Sequence, residues 1–319
     1  MINELQNPPS GSDIIYAHQL IKKYIHKTPV LSSFSINKML GCNIYFKCEN
    51  MQKVGAFKYR GATNALLNLT EEEKTKGVAT HSSGNHAAAL SLAAQISGVK
   101  AYIVMPSTVP EIKKRAVENY GGKIIYCQPN LQSRELTLKA VIEETGAVEV
   151  HPYNNYTVIA GQSTSAKELI EEIADLDYLI SPVGGGGLLS GTVLSAKYFG
   201  KGIKTIGAEP KGADDAFRSF RDGYIHPSVN PNTIADGLLT SLGLKSFDII
   251  KNNVEEILTA DEDTIINAMR IIFERLKIVI EPSSALPLAV ILENKEKFIN
   301  KSVGLILSGG NVDLGKLPF

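Results

Sequence analysis

The sequence predicts an α/β protein made of two doubly wound, three-layer α/β/α lobes with mainly parallel sheets. From Gly77 onward, short apolar strands alternate with helices, and this spacing is typical of parallel βαβ units with right-handed crossovers. The chain of 319 residues exceeds one typical core, so two lobes are expected. Because no repeat of fixed period and no low-complexity linker occurs, we expect interleaved domains. Residues 77–151 would form a small domain, and residues 1–76 with 152–319 a large one.

The first elements precede this alternation. An amphipathic helix is predicted near the N-terminus, with Ser12 or Asp13 as its cap. Its apolar stripe has helical spacing and consists of Ile14, Ala17, Ile21, Tyr24 and Ile25. The helix ends at 28–30, a short strand follows at 43–47, and a helical run is predicted over 62–69.

The alternation itself extends over most of the remaining chain. Strands are predicted at 78–80, 101–105, 123–126, 148–150, 178–181, 205–208 and 304–307. Helices at 85–96, 109–119 and 131–144 separate the first four strands, and the same alternation resumes at Val158.

The charge and cysteine content exclude several classes of function. Lys and Arg number 33 and Asp and Glu also 33, so the net charge is zero. Without a basic block, nucleic-acid or anionic-membrane binding is not expected. The three cysteines, Cys42, Cys48 and Cys127, lack the close pairs of zinc or redox motifs, which favours the reducing cytoplasm. Residues 1–13 are polar and no run of about 18 apolar residues occurs, so neither a secretory signal nor a membrane span is expected.

One lysine stands out by its position. Lys58 lies among small and aromatic residues in the segment 54–62, in the first turn of a predicted helix. The positive end of the helix dipole opposes an ammonium there and lowers the pKa of the amine. A neutral amine can attack a carbonyl and form a Schiff base. A lysine on a solvated helix is the alternative.

Glycine-containing turns follow four predicted strands, at the strand ends where open α/β sheets bind ligands. In the first turn, at 81–86, backbone N–H groups can hold a carboxylate, and Asn85 offers an amide to a ring oxygen. A simple capping turn is the alternative. The second turn, at 182–191, contains four successive glycines, each of which costs about 0.5–1 kcal/mol in a regular element. They allow a phosphate to approach backbone amides at a helix N-terminus, whereas a flexible turn is the alternative.

The other two turns carry a carboxylate pair and a hydroxyl. In the third, Glu209 and Asp215 flank a short loop and could bind a hard divalent cation, together with a backbone carbonyl and waters. A solvated acidic loop is the alternative. In the fourth, Ser308 stands beside two glycines and could reach a ring nitrogen, or the segment is a plain turn at the end of a strand.

A lysine that forms a Schiff base and a phosphate cradle together suggest an aldehyde that carries a phosphate, which is pyridoxal 5′-phosphate. Ser308 would face its pyridine nitrogen. Because a serine hydroxyl is a poor proton source, the ring would be a weaker electron sink. This favours proton loss followed by fast elimination or reprotonation.

Ten short motifs occur in one order along almost the whole chain. They lie at 27–30, 46–49, 55–60, 82–86, 161–162, 184–187, 208–210, 234–237, 281–282 and 308–313. In this order the chain resembles fold-type II pyridoxal-phosphate enzymes, which have the tryptophan synthase β-like fold. Within them it resembles the serine racemase and serine–threonine dehydratase family, most closely its eukaryotic racemases. The resemblance also implies a homodimer.

The resemblance implies roles at the matching positions. Lys58 would hold the cofactor as a Schiff base and act as the base on one face of the substrate α-carbon. Ser83 would carry the proton on the opposite face. Asn85 would bind the pyridoxal 3-oxygen and Ser308 the ring nitrogen. The phosphate would be bound by Gly184, Gly185, Gly186, Gly187 and Leu188.

The substrate and a metal ion are assigned in the same way. The substrate carboxylate would lie on the turn formed by Ser82, Ser83, Gly84, Asn85 and His86. Arg134 matches an arginine of the family that meets the substrate carboxylate or a second acidic group, and Tyr153 replaces an asparagine near the substrate. Mg²⁺, or Mn²⁺ or Ca²⁺, would be held by Glu209, the carbonyl of Ala213 and Asp215.

The implied activity is the racemisation of serine with accompanying elimination of water to pyruvate and ammonia. Racemisation needs acid/base groups on both faces of one carbon, and related enzymes that only dehydrate often have alanine in place of Ser83. Some hydroxyaspartate dehydratases keep this serine, so a dehydratase of 3-hydroxyaspartate, serine or threonine stays open. A non-catalytic metabolite-binding protein is the third interpretation.

One position departs from the family. Ala88 stands where the mammalian members have a glutamine that contacts ATP, which argues against ATP as an activator. Other contacts of that site are matched by Lys53, Tyr120, Lys277 and Asn311.

Overall fold

The computed structural model describes residues 5–319 and contains two mainly parallel sheets, so the predicted α/β class is confirmed. The strands are β1 Val30–Leu31, β2 Asn43–Cys48, β3 Val78–His81, β4 Ala101–Pro106, β5 Lys123–Cys127, β6 Val148–Glu149, β7 Tyr178–Pro182, β8 Lys204–Pro210, β9 Glu256–Ala260 and β10 Ser302–Leu307. Two of them, β1 and β9, have no counterpart among the predicted strands.

The helices fill the intervals between the strands. They are α1 Gly11–Ile21, α2 Phe34–Leu40, α3 Lys58–Leu67, α4 Glu71–Lys76, α5 Asn85–Ile96, α6 Glu111–Asn119, α7 Leu131–Thr145, α8 Tyr156–Glu172, α9 Gly187–Phe199, α10 Asp215–Asp222, α11 Leu244–Asn253, α12 Glu262–Leu276, α13 Pro282–Glu293 and α14 Lys295–Phe298. None of the helices in the described part of the chain is long and apolar enough to cross a membrane.

Two predicted helix starts are wrong. The cap of α1 is Ser10 rather than Ser12 or Asp13, because Ser10 and Asp13 form a reciprocal capping box in which Asp13 is the third helical residue. The helix predicted over 62–69 begins at Lys58. The lysine is therefore the first residue of α3.

The larger sheet has the order β1-β2-β10-β7-β8-β9, and only β1 pairs antiparallel. Successive residues of its strands face different cores, since Leu179 and Ile306 pack in one apolar cluster and Ile180 and Leu305 in another. Both faces of the sheet are therefore covered, as expected for a doubly wound sheet.

The smaller sheet is wholly parallel, with the order β5-β4-β3-β6. Val78 and Ile103 pack on one face in a cluster shared with α3 and α5, whereas Ala79 and Val104 pack on the other face against α7. All four strands lie between Val78 and Glu149. The division into residues 77–151 and the two flanking segments stays a prediction, and residues 1–4 lie outside the described part.

A buried group of charged side chains holds α3 against the larger sheet. Arg60 Nε donates to Glu49 Oε2 at 2.7 Å, and its Nη2 donates to Glu168 Oε2 at 2.8 Å. Lys47 Nζ also donates to Glu168, at 2.7 Å. All four side chains are buried. Because the carboxylates have cationic partners, their burial is compensated. Arg60 is two residues from Lys58, so these ion pairs also fix the start of α3.

Candidate active site

Lys58 lies at the start of α3, and its Nζ donates a hydrogen bond to the carbonyl of Pro152 at 2.9 Å. Burial lowers the pKa of this amine to about 8, and the negative charge of Glu281 acts in the opposite direction. The direction agrees with the sequence prediction, but the main cause is loss of contact with water rather than the helix dipole. A larger fraction of the amine is therefore neutral near pH 7 than in an exposed lysine.

The four glycines from Gly184 to Gly187 connect β7 to α9, with Gly187 as the first residue of the helix, and all are buried. Gly186 is the N-cap of α9 and has a φ of 88°, in the left-handed region that favours glycine. A Cβ on Gly185 would lie 2.3 Å from the ring of Tyr153. The residues at this helix start thus have no side chains of their own to cover their backbone amides, as an anion site requires.

Pro152 and Gln162 join the lysine to the glycine turn. The carbonyl of Pro152 accepts hydrogen bonds from Lys58 Nζ and, at 3.4 Å, from Gln162 Nε2. Gln162 Oε1 is the atom that a Cβ on Gly187 would meet, at 2.8 Å. The amine and the turn therefore share their neighbours. Gln162 belongs to the motif at 161–162, and the sequence alone indicated no role for it.

Ser308 lies at the end of β10, beside the residue that precedes the lysine. The backbone N–H of Phe57 donates to the carbonyl of Ser308 at 2.9 Å. The hydroxyl of Ser308 is buried and lies 3.0 Å from the hydroxyl of Ser284. Ser308 thus brings a neutral hydroxyl, and no charge of its own, to the start of α3.

Asn85 begins α5 and reaches across to the larger sheet. Its Nδ2 donates to Glu281 Oε1 and Oε2 at 3.1 and 3.0 Å, and its Oδ1 accepts from Asn311 Nδ2 at 2.9 Å. Burial raises the pKa of Glu281 to about 7. Glu281 was also missed as a functional residue. The available signal was an acidic residue next to a proline, in the motif at 281–282.

The turn between β3 and α5 contains Ser82, Ser83 and Gly84, which are partly exposed. A Cβ on Gly84 would have nothing within 4 Å, so this side of the turn is open. His86 differs from these residues because it is buried, with Nε2 2.9 Å from the carbonyl of Val150. Burial lowers the pKa of His86 to about 3. Because its ring is buried beside Val150, a contact of His86 with substrate would involve its backbone.

Ring contacts connect Tyr153 to His151, and His151 in turn to His81. The ring of His151 lies edge-on to that of Tyr153, with centroids 4.6 Å apart, and His81 is 6.0 Å from His151. Burial lowers the pKa of both histidines, that of His151 to about 3. The charge of Arg134 contributes to the effect on His81. Arg134 Nε is buried and has no hydrogen-bond partner among residues 5–319.

Glu209 and Asp215, the predicted metal ligands, are both buried at the end of β8 and the start of α10. The carboxylate of Glu209 accepts from the backbone N–H groups of Ala216 and Phe217 at 2.8 and 2.7 Å. Neither oxygen of Asp215 has a hydrogen-bond partner in the described part of the chain. Burial raises the pKa of Glu209 to about 9 and that of Asp215 to about 6. A bound cation would stabilise the charged forms of these two buried carboxylates.

No group of three or more His, Cys, Asp or Glu side chains that could hold a metal occurs among the described residues. The predicted site contains only two such side chains and a backbone carbonyl, that of Ala213, which lies in a short 3₁₀ turn between them. A magnesium ion in this site would therefore keep several waters, as it usually does.

Comparison with known proteins identifies the class. The family model for pyridoxal-phosphate dependent enzymes matches residues 21–309, so the chain belongs to this family. The predicted resemblance and the predicted cofactor, pyridoxal phosphate, are confirmed at this level.

Individual relatives are similar over nearly the whole chain. The serine racemase of Dictyostelium discoideum is 52% identical over 309 residues, which cover 96% of this chain and 95% of that protein. The beta-hydroxyaspartate dehydratase of Paracoccus denitrificans is 50% identical over 311 residues, covering 98% and 99%. The crystal structure of the Dictyostelium racemase superposes with a TM-score of 0.92 at 51% identity and covers 96% of this chain and 99% of that one.

Proposed function

We propose that the protein is a serine racemase that also eliminates water from serine, giving pyruvate and ammonia. The observation that carries the proposal is the set of contacts through Pro152 and Gln162 that joins the amine of Lys58 to the glycine turn. One pyridoxal phosphate needs an amine for its aldehyde and an anion site for its phosphate, and these residues fit both needs. When bound, this cofactor withdraws electrons from the α-carbon of an amino acid and makes its hydrogen acidic.

In this proposal each cofactor-binding residue has one task. The N–H groups of Gly184, Gly185, Gly186, Gly187 and Leu188 bind the phosphate. Asn85 donates to the 3-oxygen, and Ser308 meets the ring nitrogen. Because the Ser308 hydroxyl is neutral and buried, the ring nitrogen gains no charged partner from it. That supports brief proton removal and return, or elimination, as the reaction type.

The two faces of the α-carbon are served by Lys58 and Ser83. Lys58 holds or releases a proton on one face, and its lowered pKa, about 8, suits a group that works near neutral pH. Ser83, on the open turn after β3, moves the proton on the other face. The substrate carboxylate lies on the backbone amides of Ser82, Ser83, Gly84, Asn85 and His86, with Tyr153 lining the pocket.

Incubation with L-serine tests this function if D-serine and pyruvate are followed together. We expect both products from the unaltered enzyme. Ser83→Ala should lose D-serine formation and retain appreciable pyruvate formation, because elimination needs only the proton removed by Lys58. Equal loss of both products would contradict the assignment of the two faces, and pyruvate without any D-serine in the unaltered enzyme would exclude the racemase.

The second candidate is an ammonia-lyase that acts on 3-hydroxyaspartate, with serine or threonine as further substrates. The unpartnered Nε of Arg134, close to His81, favours it, since a second substrate carboxylate would pair with this cation. The similarity to the Paracoccus dehydratase agrees. If this candidate is correct, Arg134→Gln should lower kcat/KM for 3-hydroxyaspartate far more than for serine. A similar decrease for both substrates would place Arg134 at the carboxylate common to both.

Three further features belong to the same proposal. Glu209, the carbonyl of Ala213 and Asp215 hold Mg²⁺, Mn²⁺ or Ca²⁺, which is supported by the burial of both carboxylates and by the unpartnered oxygens of Asp215 in the described part of the chain. The enzyme works as a cytoplasmic homodimer. Residues 77–151 form a domain that moves against the rest of the chain when substrate binds.

A further inference from the structure

Glu281 is a buried acidic side chain that has no task in the function proposed above. It is only 4% exposed and is the N-cap residue of α13. A side chain at this position commonly accepts a hydrogen bond from the backbone of its own helix, but Glu281 makes no such bond. Its carboxylate turns instead to Asn85, whose Nδ2 donates to both oxygens. Capping of α13 therefore does not explain this acidic group.

The carboxylate of Glu281 lies against Gly309, where any side chain would occupy its space. A Cβ on Gly309 would lie 2.8 Å from Oε1 of Glu281. The backbone N–H of Glu281 donates to the carbonyl of Gly309 at 3.0 Å, which fixes the main chain beside it. Ser308, the proposed partner of the ring nitrogen, directly precedes this glycine. The carboxylate thus lies at the cofactor site rather than at a remote helix end.

The amide of Asn85 is held at both ends. Asn311 Nδ2 donates to Asn85 Oδ1 at 2.9 Å and to the carbonyl of Val54 at 2.8 Å. If the Asn85 amide were turned by about 180°, its oxygen would face the carboxylate of Glu281 and its N–H groups would face the N–H groups of Asn311. Only one orientation therefore satisfies every partner. One N–H of Nδ2 can point between the two oxygens of Glu281, which leaves its second hydrogen available.

Resting on the proposed function, we propose that Glu281 is a positioning residue that orients the Asn85 amide. The carboxylate holds Nδ2 so that its second N–H is presented to the 3-oxygen of the pyridoxal ring. Glu281 acts through Asn85 and does not itself touch the ring. Orienting the Asn85 amide requires an acceptor oxygen at hydrogen-bonding distance. It does not require the charge of the carboxylate.

The experiment measures the dissociation constant of pyridoxal phosphate by adding it to the cofactor-free enzyme and following the visible absorbance. Glu281→Ala should weaken binding about tenfold, the loss of one hydrogen bond to the ring. Glu281→Gln keeps an acceptor oxygen and should stay within about threefold of the unaltered enzyme. Introduced into Asn85→Ala, the Glu281→Ala change should cause no further loss, since the residue through which it acts is gone. Glu293→Ala, at the other end of α13, is the matched control and should leave binding unchanged.

Each other outcome is decisive. Additive losses in the Glu281→Ala and Asn85→Ala double variant would refute the inference, as would weakening by Glu281→Gln as large as that by Glu281→Ala. If Glu281→Ala does not fold, Glu281→Asp, which withdraws the carboxylate by one methylene, replaces it with the same expectations. Failure of the unaltered enzyme to bind pyridoxal phosphate would refute the proposed function itself. If the unaltered enzyme binds pyridoxal phosphate but the losses from Glu281→Ala and Asn85→Ala are additive, only the role of Glu281 is refuted.

Discussion

The rate at which the cofactor-free enzyme captures pyridoxal phosphate should depend on pH through Lys58. With a pKa of about 8, about one Lys58 amine in eleven is neutral at pH 7, whereas about one in 2,500 is neutral for an unperturbed lysine. Because the neutral form attacks the aldehyde, the advantage is about two-hundredfold. The sign is fixed by the lowered pKa: the rate rises with pH and levels off above pH 8 or so.

Stopped-flow measurement of the visible absorbance checks this expectation. Because the cofactor also titrates, the rate with Nα-acetyl-lysine is measured at each pH as a reference curve. The enzyme should level off at a pH about two units below the model amine. Glu281→Gln should lower the midpoint further, because the negative charge of Glu281 raises the pKa of Lys58. A midpoint at about pH 10, as for an exposed lysine, would refute the argument that burial activates the amine.

Three other perturbations follow from the structure. Gly186→Ala should weaken binding of pyridoxal phosphate in the same titration, because φ is 88° and its Cβ would lie 2.8 Å from two apolar side chains. Gly202 has a φ of 72° and open space around it, so Gly202→Ala is the control. It should lower the free energy of unfolding by about 1 kcal/mol and leave binding unchanged. Mg²⁺ at about 100 times its Kd should raise the free energy of unfolding by about 2.7 kcal/mol. Asp215→Asn should abolish this increase and the neighbouring Asp214→Asn should retain it, whereas no effect on the unaltered protein would exclude the site. Arg60→Met should lower the free energy of unfolding in urea by about 3–5 kcal/mol, and a loss under about 1 kcal/mol would show that the buried carboxylates need no cation.

Local patterns in the chain were sufficient to predict the fold class. Alternating apolar runs and helical periodicity depend on neighbours within a few residues, so eight of the ten strands and the helices between the first strands could be predicted from them. The exceptions are instructive. β1 has only two residues. The cap of α1 lies two or three residues earlier than expected, because Asp13 forms a capping box with Ser10 rather than capping the helix itself.

The glycine turns and Lys58 were also visible in the sequence, since the turns are defined by residue type at strand ends and Lys58 by its place at a helix start. The direction of the pKa shift of Lys58 could be predicted, but its cause could not. A helix dipole is a local property, whereas burial depends on which distant segments cover the amine. Pro152, which accepts its hydrogen bond, is 94 positions away.

The sequence by itself determined the α/β class, the turns at the strand ends and the residue types that suit a phosphorylated aldehyde. Only the tertiary structure decided which polar groups meet inside the protein. Asn85 and Glu281 are 196 positions apart, and Arg60 and Glu168 are 108 apart. The physical reason is that the protonation state and orientation of a buried group depend on the surrounding atoms. The packing of the two sheets, and not the order of the residues, brings those atoms together.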